Sequence, residues 1–296
     1  MISLLRRYRP IIPFALTIIA GAFGACLAVW ISHSTSFGFD TFAYWQPGHG
    51  GPLYPITTSA GGPVGTFRYS PAIAQVLALA SPLDWPTFRL LWLVPAVAVV
   101  IWAGGWRWAL PLAVLFPATW IELYVGNIHL LFALAIVVGF RYPAAWSFIL
   151  LTKVTPGVGL LWFAVRREWR NLGLALGATA AIAAVSVLVG GSAIWIEWIR
   201  VLATTQSAMT GDLVIPLPFV PRLVVAAAIV IWGALTNRRW TVVAAATLAL
   251  PTLWVSGLAM LVGLVALRRL PPVVAIRSWG IGAPIRSAQV VAVPAA

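Results

Sequence analysis

The sequence predicts an all-α, polytopic integral membrane protein, and three observations carry that reading. Of its 296 residues 61% are hydrophobic and 8% charged, where soluble domains run to about 25% charged. Mean hydropathy is +0.97. Apolar stretches recur from Ile11 to Leu267 and leave no room for a separate water-soluble domain. The formal charge of +13 would point to nucleic acid in a soluble protein. Here it fits cytoplasmic loops and anionic headgroups, so membrane lipids are expected partners and nucleic acid is not. Cys26 is the only cysteine, which excludes an intramolecular disulfide and a cysteine-based metal cluster. The 22 Pro and 25 Gly scattered through apolar segments predict broken helices around a cavity.

Taken in order, Arg6-Arg7-Tyr8-Arg9 precede an apolar run of about 20 residues, which is spanning length. Residues 11–32 therefore read as a retained first helix with a cytoplasmic N-terminus, not a cleaved signal. The stretch 33–70 is rich in Gly, Pro, Ser, Thr and aromatics and reads as a first outer loop. Further helical segments are expected at 71–82, 87–104, 109–121, 127–140, 144–165, 171–190, 219–235, 240–250 and 254–267. Some are too short to cross alone, so 71–104 and 109–140 can each contain a half-helix, giving about eight to ten spans. Alternation places Arg89, Arg166-Arg167-Glu168-Trp169-Arg170, Arg238-Arg239 and Arg268-Arg269 with the N-terminus in the cytoplasm. It places Arg68, Arg107, Arg141, Arg200 and Arg222 outside. A second outer loop, 191–218, contains Ile194 to Leu202, an amphipathic interfacial helix. Residues 1–270 form one transmembrane domain, and 271–296 a flexible cytoplasmic tail.

The chain has only six acids. Asp40 lies in Phe37-Gly38-Phe39-Asp40-Thr41-Phe42-Ala43-Tyr44-Trp45, where aromatics would desolvate a carboxylate and suit it to act as a general base. The plainer alternative is an aspartate capping an interfacial turn. Phe67-Arg68-Tyr69-Ser70-Pro71 sets an Arg and a Tyr before a helix start, a place for phosphate or for a lipid-anchoring cation. Lys153, in Leu151-Thr152-Lys153-Val154-Thr155-Pro156-Gly157, is an intramembrane charge that faces a cavity or a partner. Glu122 and His129, with Gly126-Asn127 between them, read as a polar turn packing helices; a metal pair lacks a third ligand. No metal or cofactor is expected, since neither a nucleotide-binding fingerprint nor a Walker motif is present.

These residues resemble the polytopic GT-C glycosyltransferases, specifically the bacterial polyprenol-phosphate-mannose-dependent mannosyltransferases of family 87. The carriers are the Asp40 loop with Tyr44, Phe67 to Pro71, Glu122 with Gly126-Asn127, and Leu151 to Gly157, the last being the most specific. One departure stands at Pro251-Thr252-Leu253-Trp254-Val255-Ser256-Gly257, which lacks the histidine that many relatives carry after Pro-x-x-Trp.

The resemblance implies a GT-C-like helical bundle that moves a sugar, mannose first among candidates, from a polyprenyl-phosphate donor to a lipid or glycan acceptor on the outer face of the bacterial plasma membrane. It implies Asp40 as base, with Lys153, Arg68 and Tyr69 at the donor phosphate. Tyr44, Glu122, Asn127, His129 and Trp254 are expected around the substrate cavity. A lipid or small-molecule transporter built around Lys153, and a non-catalytic scaffold, are the competing expectations.

Overall fold

The computed structural model describes residues 11–33, 37–50, 52–54, 67–204 and 213–269. Asp212, the basic N-terminus and the 271–296 tail lie outside them. The described chain is helical, its one β-type feature being an isolated antiparallel bridge between Val214 and Trp254. Helix α1 (Ile11–Ser32) packs along α4 (Trp85–Val114). Between them come α2 (Phe39–Trp45) and α3 (Pro71–Ala78). Asp84 starts α4 by accepting from the Thr87 backbone N–H at 3.1 Å, with Pro86 in the first turn. Gly105, at φ 59° and ψ 175°, bends α4 where the hydrophobic pattern also breaks.

Helices α5 (Pro117–Val125) and α6 (His129–Gly139) meet at a 112° corner. Gly126 makes that corner with φ 71°, and its N–H closes α5 onto the Glu122 carbonyl at 2.8 Å. A Cβ at residue 126 would collide with the Thr41 side chain. Among the described residues two helices, Trp85–Val114 and Trp169–Gly190, are long and apolar enough to cross a membrane, and the bent α5–α6 pair is a broken third span or a re-entrant loop. The remaining apolar segments are shorter pieces, so two or three spans stand by length and composition against the eight to ten expected.

The segment expected to cross at 144–165 has a different form. Helix α7 (Trp146–Thr152) ends at Lys153, which is extended at φ −126° and ψ 105°. A 3-10 turn (Thr155–Leu160) and the short α8 (Leu161–Val165) then run back. Pro156 supplies no N–H and restricts Thr155, so the helix cannot continue through them. The buried Trp146 ring fits where Gly139 and Gly159 lack side chains. Trp162 returns to Phe140, ring centroids 5.5 Å apart, and the Arg239 guanidinium covers Phe140 at 5.5 Å. The segment is therefore a hairpin with both ends on one side and Lys153 at its tip.

Two side assignments change accordingly. Arg141, expected on the Arg68 side, follows Phe140 at the end that holds Arg166 and Arg239. Arg89, expected there, instead lies 4.6 Å over the Phe37 ring beside the Asp40 helix. Its predicted crossing fails because α3 has only eight residues.

The chain continues through α9 (Trp169–Gly190), α10 (Ala193–Thr204), α11 (Phe219–Leu235), α12 (Trp240–Leu248), a 3-10 stretch (Val255–Leu261) and α13 (Val262–Arg269). The amphipathic pattern at 194–202 is α10: Trp198 is buried, while Ile196, Ile199 and Leu202 stay exposed. Glu168 pairs with Arg166 at 2.8 Å.

Candidate functional site

The α5–α6 corner organises the site because its main chain is tied to the Asp40 helix. The Gly38 N–H donates to the Tyr124 carbonyl at 2.9 Å. The Gly126 carbonyl accepts from Thr41 Oγ1 at 3.2 Å and from Trp92 Nε1 at 2.8 Å. Asp40 is thereby brought to the residue that follows Gly126. Asn127 Nδ2 donates to Asp40 Oδ2 at 2.7 Å, and Asn127 Oδ1 accepts from the Tyr44 hydroxyl at 3.1 Å and from the Ile128 N–H at 2.8 Å. Tyr44 and Tyr69 share a hydroxyl hydrogen bond of 2.9 Å and stack with centroids 5.5 Å apart.

Asp40 is half-buried, and burial raises its pKa from 3.8 to about 6, opposed by the Asn127 hydrogen bond and the Lys153 charge. Burial likewise pushes the Tyr44 and Tyr69 phenols above their usual range and keeps them protonated at neutral pH.

A second polar group lies on the other side of Asn127. Glu122 Oε1 accepts from the His129 backbone N–H at 2.5 Å, and Glu122 Oε2 lies 2.9 Å from His129 Nδ1. Lys153 Nζ reaches His129 Nε2 at 2.8 Å. An ammonium has only donors, so Nε2 must accept and Nδ1 must carry the proton that goes to Glu122. That leaves no ring lone pair for a metal, and among the described residues no three His, Cys, Asp or Glu side chains cluster to hold one. Lys153 Nζ lies 6.0 Å from the Tyr69 ring centroid and 5.9 Å from that of Phe132. The two groups thus meet at the Lys153–Tyr69 contact.

The segment carrying Arg68 and Tyr69 is pinned by main-chain groups. Tyr54 donates to the Tyr69 carbonyl at 2.6 Å, Trp198 Nε1 to the Arg68 carbonyl at 3.1 Å, and the Ser70 N–H to the Leu151 carbonyl at 3.0 Å. Arg68 is half-buried, which lowers its pKa. Trp254 precedes the Val255–Leu261 stretch and joins no part of this polar network through the contacts described. Its neighbourhood does close over the corner, since a methyl at Gly257 would lie 3.9 Å from the His129 ring.

Sequence reasoning gave Arg222 no role beyond a place on the outer side, whereas the residue is buried. Its guanidinium donates to the carbonyls of Leu217, Leu248, Leu250 and Pro251 at 2.6 to 3.1 Å. The readable signal was an arginine inside an apolar helix start, paired with carbonyls released at Pro251.

The family model for glycosyltransferase family 87 matches residues 67–283, about three quarters of the chain. Arg68, Tyr69, Glu122, Asn127, His129, Lys153 and Trp254 fall within the match, whereas Asp40 and Tyr44 precede it. No curated protein and no solved structure matches the chain.

Proposed function

The chain belongs to glycosyltransferase family 87, and from that premise we propose that it transfers mannose from a polyprenyl-phosphate donor to a cell-envelope lipid or glycan. The site faces outward from a bacterial plasma membrane, with the N-terminus cytoplasmic. The observation that supports this reading best is a half-buried carboxylate, Asp40, held by Asn127 at the α5–α6 corner, with the Lys153 ammonium brought to the same corner by His129.

Asp40 takes the proton of the acceptor hydroxyl as that oxygen attacks the anomeric carbon. The bond from that carbon to the phosphate oxygen breaks, and its electron pair leaves with the polyprenyl phosphate. Attack opposite the leaving group inverts the anomeric centre. Lys153 and Arg68 hold the phosphate by charge-assisted contacts as its negative charge grows, and Tyr69 closes the wall between them. A phosphate leaves without a protonating acid, so one carboxylate suffices where hydrolysis canonically uses two. Tyr44 and Asn127 orient Asp40.

The test is incubation of the purified protein in nanodiscs with polyprenyl-phosphate-mannose and extracted envelope lipids, followed by mass spectrometry. A hexose added to an acceptor by the wild type and absent with Asp40→Asn supports the reading. Movement of an unaltered lipid across the bilayer, without a glycosylated product, would favour a transporter.

A further inference from the structure

We propose that Glu122 and His129 are a positioning pair that aims the Lys153 ammonium into the donor site. The inference rests on the reading of Lys153 as the cation for the donor phosphate. Both side chains of the pair are sealed, each with 0% exposure, whereas Lys153 is half-buried at the hairpin tip. Glu122 grips His129 twice, once through the backbone N–H that opens helix α6 and once through Nδ1. The imidazole plane is thereby fixed, and with it the direction of the Nε2 lone pair.

Lys153 needs such an anchor because its own backbone is extended between α7 and the following 3-10 turn. The lysine stem is also long and rotamer-rich. One ammonium N–H goes to His129, and the remaining donors of the group can serve a phosphate oxygen. Glu122 and His129 touch no reacting atom, so they act through Lys153.

The pair can be separated from a merely structural role by a double-mutant cycle. Affinity for a short-chain polyprenyl-phosphate-mannose is measured in nanodiscs for wild type, Glu122→Gln, Lys153→Met and the double variant. Glu122→Gln and Lys153→Met should each weaken binding about 10-fold, the scale of one hydrogen bond to a charged group. The double variant should be no weaker than Lys153→Met alone. Equal weakening by Glu122→Gln in both backgrounds, or none in either, overturns the positioning role while leaving Lys153 as the phosphate cation. Unchanged affinity in Lys153→Met overturns the phosphate reading, and this inference with it.

A second measurement needs no altered pair. The chain has three histidines, and 15N spectra at pH 7, with His33→Gln and His49→Gln for assignment, should show His129 as the neutral Nδ1–H tautomer. An Nε2–H or doubly protonated ring overturns the proposal.

Discussion

Replacing Asp40 with asparagine should remove activity and stabilise the protein at the same time. Burial lifts the Asp40 pKa from 3.8 to about 6, and that difference corresponds to about 3 kcal/mol. Because the group is half-buried, water screens part of this, and about 1 to 3 kcal/mol is the expected range. The raised pKa means that the folded state binds more protons than the unfolded chain between pH 4 and 6. Wild-type stability therefore falls as pH rises through that window, and above pH 6 the full cost of the buried charge is present. Asparagine keeps an acceptor for Asn127 and carries no charge. Asp40→Asn should unfold several degrees higher than wild type at pH 7.5, and the gap should close near pH 4. Turnover should fall about 10²-fold or more. Thermal unfolding in detergent across pH, beside product formation at pH 7.5, checks both. A variant that loses activity but gains no stability at pH 7.5 would refute the desolvated base, and near-normal turnover would remove Asp40 from the chemistry.

Three further outcomes are expected. Asn127→Ala removes the hydrogen bond that holds the Asp40 pKa down, so that pKa should rise above about 6. The acid limb of the pH–rate profile should then move alkaline, with a larger loss at pH 6 than at pH 8; an unmoved limb contradicts the assignment. Arg222→Met leaves four carbonyls without their donor and should cost about 3 kcal/mol or more, read as a lower thermal midpoint. In a Cys26→Ser background, Ser192→Cys should react with an impermeant maleimide from outside. Arg141→Cys and Arg170→Cys should react only after permeabilisation, and labelling of residue 141 from outside would undo the hairpin.

The residues of the site were legible because polar groups are scarce in so apolar a chain. Asp40, Lys153 and the Glu122 to His129 turn stand out by their cost in that setting. Their connections were not legible. Tyr44 meets Tyr69 and Asn127, and His129 bridges Lys153 to Glu122, through contacts set by helix packing and not by spacing along the chain. Pro156-Gly157 announced a break, but periodicity does not distinguish a kinked crossing from a hairpin. The packing of Trp146 on Gly139 and Gly159 decides that. The burial of Arg222 was not legible because the positive-inside rule counts charges and does not see the four carbonyls that receive this one.

The Asp40 helix is docked onto the corner at two main-chain points, the Gly38 N–H on the Tyr124 carbonyl and Thr41 Oγ1 on the Gly126 carbonyl, and through the Asn127 side chain, which meets Asp40 and Tyr44. Main-chain carbonyls are common to every residue, so the register of the base depends on the path of the corner's backbone as well as on Asn127. Gly38 sits at φ 79° against the Arg89 stem, and Thr41 and Trp92 supply the donors. The turn at Gly126 thus acts on the base from a distance: a side chain there would push on Thr41 and displace the carboxylate without touching it.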